Sequence, residues 1–98
     1  MKDLIEANYK SIVDRGLIAP STNYFEFLNK IKEEFKELRG AVLDYVDYDP
    51  DSFPNVKEEL ADVIMVCLNM AKHYNIDIEQ EIKNKIEVNK QRAKNGKK

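Results

Sequence analysis

The chain has little of several residue types on which common functional sites depend. It contains one cysteine, Cys67, and one histidine, His73, among 98 residues. An intramolecular disulfide is therefore impossible, and a zinc site or a Cys–His nucleophile pair lacks partners. Only three glycines are present, and no Gly-rich phosphate loop of the Walker or Rossmann kind occurs. Cys67 lies in an apolar run, where we expect it to be a small buried side chain.

Long hydrophobic runs are also missing. No apolar stretch approaches the roughly 18 residues that a membrane span needs, and the N-terminal MKDLIEANYK has no apolar signal core. We therefore expect a cytoplasmic protein without membrane contacts. The length predicts a single domain over residues 1–98, with a core small enough for self-association to add stability.

Charge is plentiful but unevenly distributed. Charged residues make up 35% of the chain, yet the formal net charge is only -2. Residues 83–98 hold seven Lys or Arg and one acid, whereas the rest of the chain is acidic. This asymmetry fits a solvated surface with a basic tail, and it equally fits a cation site in the body with an anion partner near the tail. Nucleic-acid binding is not expected, because the tail is short and no aromatic stacking platform accompanies its lysines.

Apolar residues recur at helical spacing in four segments, and no segment alternates for long with the period of a strand. We predict helices over about residues 2–15, 23–46 and 55–74, and a fourth helix that begins after Asp77. Local signals for the helix ends support these bounds. The signals are Gly16 after the first helix, Ser21, Thr22 or Asn23 before the second, Asn55 with Glu58 before the third, and Asp77 with Gln80 before the fourth.

The two middle helices differ in their apolar patterns. The second predicted helix has a single apolar stripe, with Glu34 on its shoulder in a row with Phe27 and Ala41. The third is apolar nearly all round, which is typical of a central, buried helix. The stripe of the second helix consists of Tyr24, Leu28, Ile31, Phe35, Leu38 and Val42. The predicted packing face of the third consists of Leu60, Ile64, Cys67, Leu68 and Ala71.

Asp62 is the one charged residue in the apolar stretch from Leu60 to Leu68. Glu59 precedes it by three residues, and Glu34 and Glu37 have the same spacing on the second helix. Burial of an unpaired carboxylate costs several kcal/mol or forces protonation, so a positive partner is expected.

Two explanations for these acids remain open. Each pair alone is more typical of a solvated helix face, and Lys36 or Lys57 would suffice to neutralise Asp62. The four carboxylates together, on two helices that should pack antiparallel, instead favour a hard cation such as Mg²⁺ or Mn²⁺. A di-iron bundle site is rejected, because it needs Glu-x-x-His twice.

Three motifs occur in order along the chain. They are EEFKEL at residues 33–38, EELADVI at residues 58–64 and KIEVNKQR at residues 85–92. Together they resemble the signature of the MazG-like all-α nucleoside triphosphate pyrophosphohydrolases, which is Glu-Glu-x-x-Glu, then Glu-x-x-Asp, then Lys-x-x-x-Asn-x-x-Arg. The resemblance covers residues 28–92 and leaves residues 93–98 as a basic tail that we expect to be frayed.

The resemblance implies Mg²⁺-dependent hydrolysis of an NTP or dNTP to a nucleoside monophosphate and pyrophosphate. It implies an all-α, four-helix bundle completed by homo-oligomerisation, as a homodimer or a tetramer. The alternative interpretation is a non-catalytic, dimeric helical-bundle interaction module whose acids are surface charge.

The same resemblance implies roles for individual residues, and Glu33 and Glu37 are its catalytic candidates. Glu33 would orient or activate the attacking water. Tyr24 and Phe27 are candidates for stacking on the base, although aromatics at such positions are more often core or interface. The implied metal ligands are Glu34, Glu37, Glu59 and Asp62, and the implied phosphate-binding residues are Lys85, Asn89 and Arg92.

Overall fold

Four α-helices and one short 3-10 turn make up the computed structural model, which describes residues 1–96. The helices are α1 (Lys2–Asp14), α2 (Tyr24–Asp47), α3 (Phe53–His73) and α4 (Ile78–Lys94), and the 3-10 turn is Pro50–Ser52. The predicted all-α class is confirmed, since these described residues contain no strand. α4 continues through Ala93 and Lys94, so the helix extends into the predicted tail. Lys97 and Lys98 lie outside the described residues.

Three of the predicted helix ends are confirmed. Gly16 ends α1 with φ 72°, and the Leu17 N–H donates to the Ile12 carbonyl at 3.1 Å. Asn23 caps α2 in a capping box, because its side chain accepts from the Glu26 N–H while Glu26 accepts from the Asn23 N–H. The Asp77 carboxylate accepts from the Gln80 N–H at 3.1 Å and caps α4. All three signals are local in sequence.

The predicted start of α3 at Asn55 is wrong. The helix begins at Phe53, because the 3-10 turn Pro50–Ser52 runs directly into it and leaves Asn55 inside its first turn. Pro54 fits there, since the first helical turn needs no N–H donor. At the other end, Asn75 has φ 54° and the Ile76 N–H donates to the Ala71 carbonyl at 2.8 Å. This left-handed residue turns the chain from α3 into α4.

α2 and α3 form an antiparallel pair. The Tyr24 ring at the start of α2 stacks on Tyr74, just after α3, with ring centres 4.1 Å apart. At the opposite end, Tyr45 of α2 lies 5.1 Å from Phe53 at the start of α3. α1 packs against α3 as well, so α3 is the central helix, as predicted.

The packed side of α2 is rotated from the centre of its apolar stripe. Leu28 and Phe35, in the predicted stripe, are 52% and 58% exposed, whereas Phe27 is only 3% exposed. The inner line of α2 comprises Phe27, Ile31, Glu34, Leu38 and Ala41. Glu34 therefore lies on the face that meets α3 rather than on a shoulder.

The packed side of α3 also differs from the prediction. Ala71 is buried as predicted, but Val66 and Asn69, outside the predicted face, are buried as well, whereas Leu60 and Ile64 are about half exposed. Cys67 is exposed, so the expectation of a buried cysteine is wrong. Pattern analysis cannot rank the faces of a helix that is apolar nearly all round, and α2 covers the face that carries the acids.

α4 stands apart from the other helices and is exposed along nearly its whole length. Ile82 and Ile86 are 44% and 48% exposed although they repeat at helical spacing. The Cα radius of gyration is 16.3 Å, whereas a compact domain of about 100 residues has about 13 Å. The apolar face of α4 therefore has no packing partner among residues 1–96. Within residues 1–96, no helix has the length and hydrophobicity to cross a membrane.

Candidate metal centre

Three carboxylates from two helices converge where α2 and α3 face each other. Glu34 projects from α2, and Glu59 and Asp62 project from α3. One oxygen from each of the three lies within 4.8 Å of the other two. The three side chains are partly buried, because each lies on an inner helix face. We call these residues the carboxylate cluster.

Two oxygens of the carboxylate cluster are enclosed and have no hydrogen-bond partner among residues 1–96. They are Oε2 of Glu34 and Oε2 of Glu59. Buried polar atoms are nearly always paired, so such oxygens indicate a missing partner. Neither Glu59 nor Asp62 forms an ion pair within the described chain, so Lys36 and Lys57 do not neutralise Asp62. Lys57 instead lies over the Phe53 ring, at 5.5 Å from its centre.

Lys30 supplies the one positive charge that reaches the carboxylate cluster from the described residues. Its Nζ lies 3.4 Å from Oε1 of Glu34 and 3.7 Å from Oε2 of Glu33. The lysine is half exposed, so the pair is weak. A single shared cation leaves the oxygens of Glu59 and Asp62 uncompensated.

The electrostatics of Glu59 reflect this excess of negative charge. Burial raises the pKa of the Glu59 carboxyl above its ordinary value, and the charges of Glu37, Asp62 and Glu34 raise it further. A side-chain hydrogen bond with Glu37 adds to the increase in the pKa of Glu59. Glu37 therefore lies beside Glu59, although it is exposed and is not one of the three converging ligands.

The cluster fits a hard divalent cation. Its donors are carboxylate oxygens without histidine or thiolate, which suits Mg²⁺ or Mn²⁺. The two enclosed oxygens without partners are what a cation between the helices would coordinate. Glu34, Glu59 and Asp62 are the residues that can hold it, with Glu37 adjacent.

The other predicted site residues lie farther out. Glu33 is exposed on α2 and shares Lys30 with Glu34. The phosphate-binding candidates Lys85, Asn89 and Arg92 lie on α4, which does not pack along α2 or α3. The described part of the chain therefore does not bring α4 and the carboxylate cluster into one site.

The two candidates for base stacking occupy the opposite end of the α2–α3 pair. Phe27 is a core residue whose ring lies 5.0 Å from His73 and 5.9 Å from Tyr74. Tyr24 is 58% exposed and stacks on Tyr74. Burial raises the pKa of Tyr74, with smaller contributions from Tyr24 and Glu26.

Sequence reasoning missed the polar residues of this end. His73 joins three elements, because its Nδ1 lies 2.8 Å from the Tyr9 hydroxyl and its Nε2 lies 2.9 Å from the Thr22 carbonyl. Asn69 is only 4% exposed, and its Oδ1 accepts from Nδ2 of Asn8 at 2.8 Å. Asn69 directly follows the apolar run that contains Asp62. A search for polar residues next to apolar runs, which singled out Asp62, would have found Asn69 as well.

These features define an all-α protein with a carboxylate site between two antiparallel helices. The family model described as the MazG-like family matches residues 25–98. The chain belongs to the MazG-like family, as its three motifs predicted. Comparison with curated proteins and with solved structures finds no match.

Proposed function

We propose that this protein is a Mg²⁺-dependent nucleoside triphosphate pyrophosphohydrolase that converts an NTP or dNTP to a nucleoside monophosphate and pyrophosphate. The single observation that carries the proposal is the pair of enclosed, unpartnered oxygens in the carboxylate cluster. Membership of the MazG-like family supports the reaction type. A pocket of carboxylates repels a negatively charged triphosphate, so in this proposal the cation lies between the carboxylates and the phosphates.

In the proposed site, Glu34, Glu59 and Asp62 hold the cation and Glu37 completes the ligand set. When bound, Mg²⁺ supplies charge neutralisation for the triphosphate and lowers the pKa of the attacking water. Water adds to phosphorus, the α–β anhydride bond breaks, and pyrophosphate departs with the bonding electron pair. Glu33, exposed next to Glu34, orients the water and accepts its proton.

Phosphate binding in this proposal needs a second copy of the chain, because α4 stands apart from the carboxylate cluster of its own protomer. We propose that Lys85, Asn89 and Arg92 of one protomer face the cluster of another in a homodimer or tetramer. Half-exposed apolar residues support this assembly on three helices. They are Leu28 and Phe35 on α2, Leu60 and Ile64 on α3, and Ile82 and Ile86 on α4.

The test is a panel of NTPs and dNTPs with Mg²⁺, in which pyrophosphate release is measured for the wild type, Glu37→Gln and Glu59→Gln. Glu58→Gln is the matched control, since Glu58 is the exposed neighbour of Glu59 on the same helix. We expect the wild type to release pyrophosphate only with Mg²⁺. Glu37→Gln and Glu59→Gln should lose this activity, and Glu58→Gln should retain it. If no substrate yields more pyrophosphate with the wild type than with Glu59→Gln, the proposal is wrong.

The alternative, a dimeric interaction module without catalysis, is supported by the same exposed apolar residues. It predicts that Mg²⁺ leaves the melting temperature unchanged and that Asp62→Asn is at least as stable as the wild type. The enzyme proposal predicts Mg²⁺ stabilisation that Asp62→Asn loses, because a ligand that binds only the native state stabilises it.

A further inference from the structure

A groove lies on the Phe27 side of the carboxylate cluster, between the first turns of α2 and the middle of α3. It has a volume of about 410 Å³ and is bounded by the end of α1, the connector to α2, the first turns of α2 and the middle of α3. Lys30 lines the groove and also pairs with Glu34 of the cluster at 3.4 Å. Lys30 therefore connects the groove to the carboxylate cluster.

The walls of the groove are mostly apolar. Ile12, Leu17 and Ile18 line one side, and Phe27 and Val66 line the other. The polar residues of the lining are Ser21, Thr22, Glu26, Lys30 and Asn69. Apolar walls with a smaller number of polar groups are typical of sites for small organic ligands. Its volume is within the range of small-molecule pockets, which starts at about 300 Å³.

Asn69 supplies a hydrogen-bond donor to this groove. The residue is 4% exposed and lines the groove from α3. Asn8 fixes its orientation, because Nδ2 of Asn8 donates both to the Met65 carbonyl at 3.0 Å and to Oδ1 of Asn69 at 2.8 Å. The atom of Asn8 that faces Met65 must be the nitrogen, so the atom of Asn69 that faces Asn8 must be the oxygen.

The nitrogen of the Asn69 amide is therefore the atom left for a ligand. Within residues 1–96, Nδ2 of Asn69 donates to no protein atom, whereas Oδ1 is occupied. This nitrogen is not among the fully enclosed atoms without a partner, so it keeps access to solvent and is free to donate to a molecule in the groove that Asn69 lines. A carbonyl oxygen of a ligand in the groove would satisfy it.

We propose that the groove binds the nucleobase of the substrate and that the Asn69 amide donates to a base carbonyl. This proposal rests on the function proposed above and specifies its substrate class, which is nucleotides with a keto-bearing base. Adenine, which has no carbonyl, is disfavoured. Asn8 is a positioning residue that holds the amide with its donor toward the groove.

The sharpest test compares two triphosphates that differ at one position of the purine. dITP has a carbonyl at the position where dATP has an amino group. We expect kcat/KM with Mg²⁺ to favour dITP by roughly tenfold, which is the effect of one matched hydrogen bond. Asn69→Leu removes the donor and brings the ratio to about one. Asn69→Asp replaces the donor by an acceptor and reverses the preference toward dATP.

The controls separate this proposal from the function on which it rests. Asn55→Leu changes an exposed asparagine of the same helix and should keep the wild-type ratio. A wild-type ratio near one, or a ratio that both Asn69 variants leave unchanged, would overturn the groove proposal while the hydrolytic function stands.

If the wild type hydrolyses no triphosphate, the hydrolytic function fails and the groove is tested by binding. The metal-free protein is then titrated with inosine and with adenosine in a ¹H–¹⁵N correlation spectrum. Movement of the Asn69 side-chain amide signal with inosine but not adenosine supports the groove. Equal movement with both nucleosides, or movement with neither, contradicts it.

Discussion

The two ends of the α2–α3 pair treat buried polar groups in opposite ways. At the end that contains Phe27 and Tyr74, the ring nitrogens of His73 have partners on other elements. At the end that contains Glu34 and Glu59, enclosed oxygens have none. The same two helices thus build an aromatic end in which both ring nitrogens of His73 are paired and an acidic end in which two enclosed carboxylate oxygens have no partner among residues 1–96. Stability should depend on the first end, and ligand dependence on the second.

The largest expected effect is a loss of folding stability caused by a substitution at the aromatic end. Phe27→Ala removes a ring that is 97% buried and should lower the free energy of unfolding by about 3 to 5 kcal/mol. Urea denaturation followed by circular dichroism measures it. Phe25→Ala is the control, because Phe25 is 75% exposed. Equal losses for the two variants would contradict the assignment of Phe27 to the core.

The next effect is specific to the acidic end. Mg²⁺ at a hundred times its dissociation constant should add about 2.7 kcal/mol to the free energy of unfolding, because it binds only the native state. Thermal melts with Mg²⁺ and with EDTA measure this increase. Asp62→Asn should abolish it, whereas Phe27→Ala should retain most of it in spite of a lower starting stability. An increase that survives Asp62→Asn would place the cation elsewhere.

A smaller loss is expected from the amide pair that joins α1 to α3. Asn8→Ala removes the donor to Oδ1 of Asn69 and leaves that buried oxygen without a partner, which should cost about 1 to 3 kcal/mol. Chemical denaturation measures the loss, and Asn55→Ala on the surface of α3 is the control. A change within the error of that control would show that water replaces the Asn8 amide.

The smallest expected effect is a gain rather than a loss of stability, and it concerns Glu59. The raised pKa of Glu59 means that the folded protein holds this proton more tightly than the unfolded chain does. This contribution to stability is present below the ordinary glutamate pKa and is lost as the pH rises through the raised value. Without Mg²⁺, Glu59→Gln should therefore melt slightly above the wild type at neutral pH and match it in acid. A lower melting temperature at neutral pH would show that Glu59 already has a positive partner.

Signals that act within one turn of helix were readable from the sequence. Gly16, Asn23 and the pair Asp77 with Gln80 act through bonds to nearby residues, and each was predicted, Asn23 as one of three candidates before α2. Asn55 failed as a cap because the 3-10 turn of Pro50–Ser52 begins the helix earlier. No local pattern distinguishes that turn from the rest of an Asp- and Pro-rich loop.

Which helix faces meet was harder to predict. Leu28 and Phe35 are as apolar as the inner positions of α2, so only the packing of α3 decides which line is buried. The acids were the better guide, since Glu34, Glu59 and Asp62 all lie on inner faces. The predicted antiparallel pairing brings three of the four predicted carboxylates together, without Glu37. The angle at which α4 leaves α3 could not be predicted from the sequence.

That angle depends on Asn75, the one non-glycine residue with positive φ among residues 1–96. α4 is a rigid rod that starts three residues later, with a rise of about 1.5 Å per residue. A reorientation of about 20° at its base would displace Lys85 by about 4 Å and Arg92 by about 7 Å. A single backbone torsion is thus amplified along α4, and it sets how far its cations reach while the acids between α2 and α3 stay fixed.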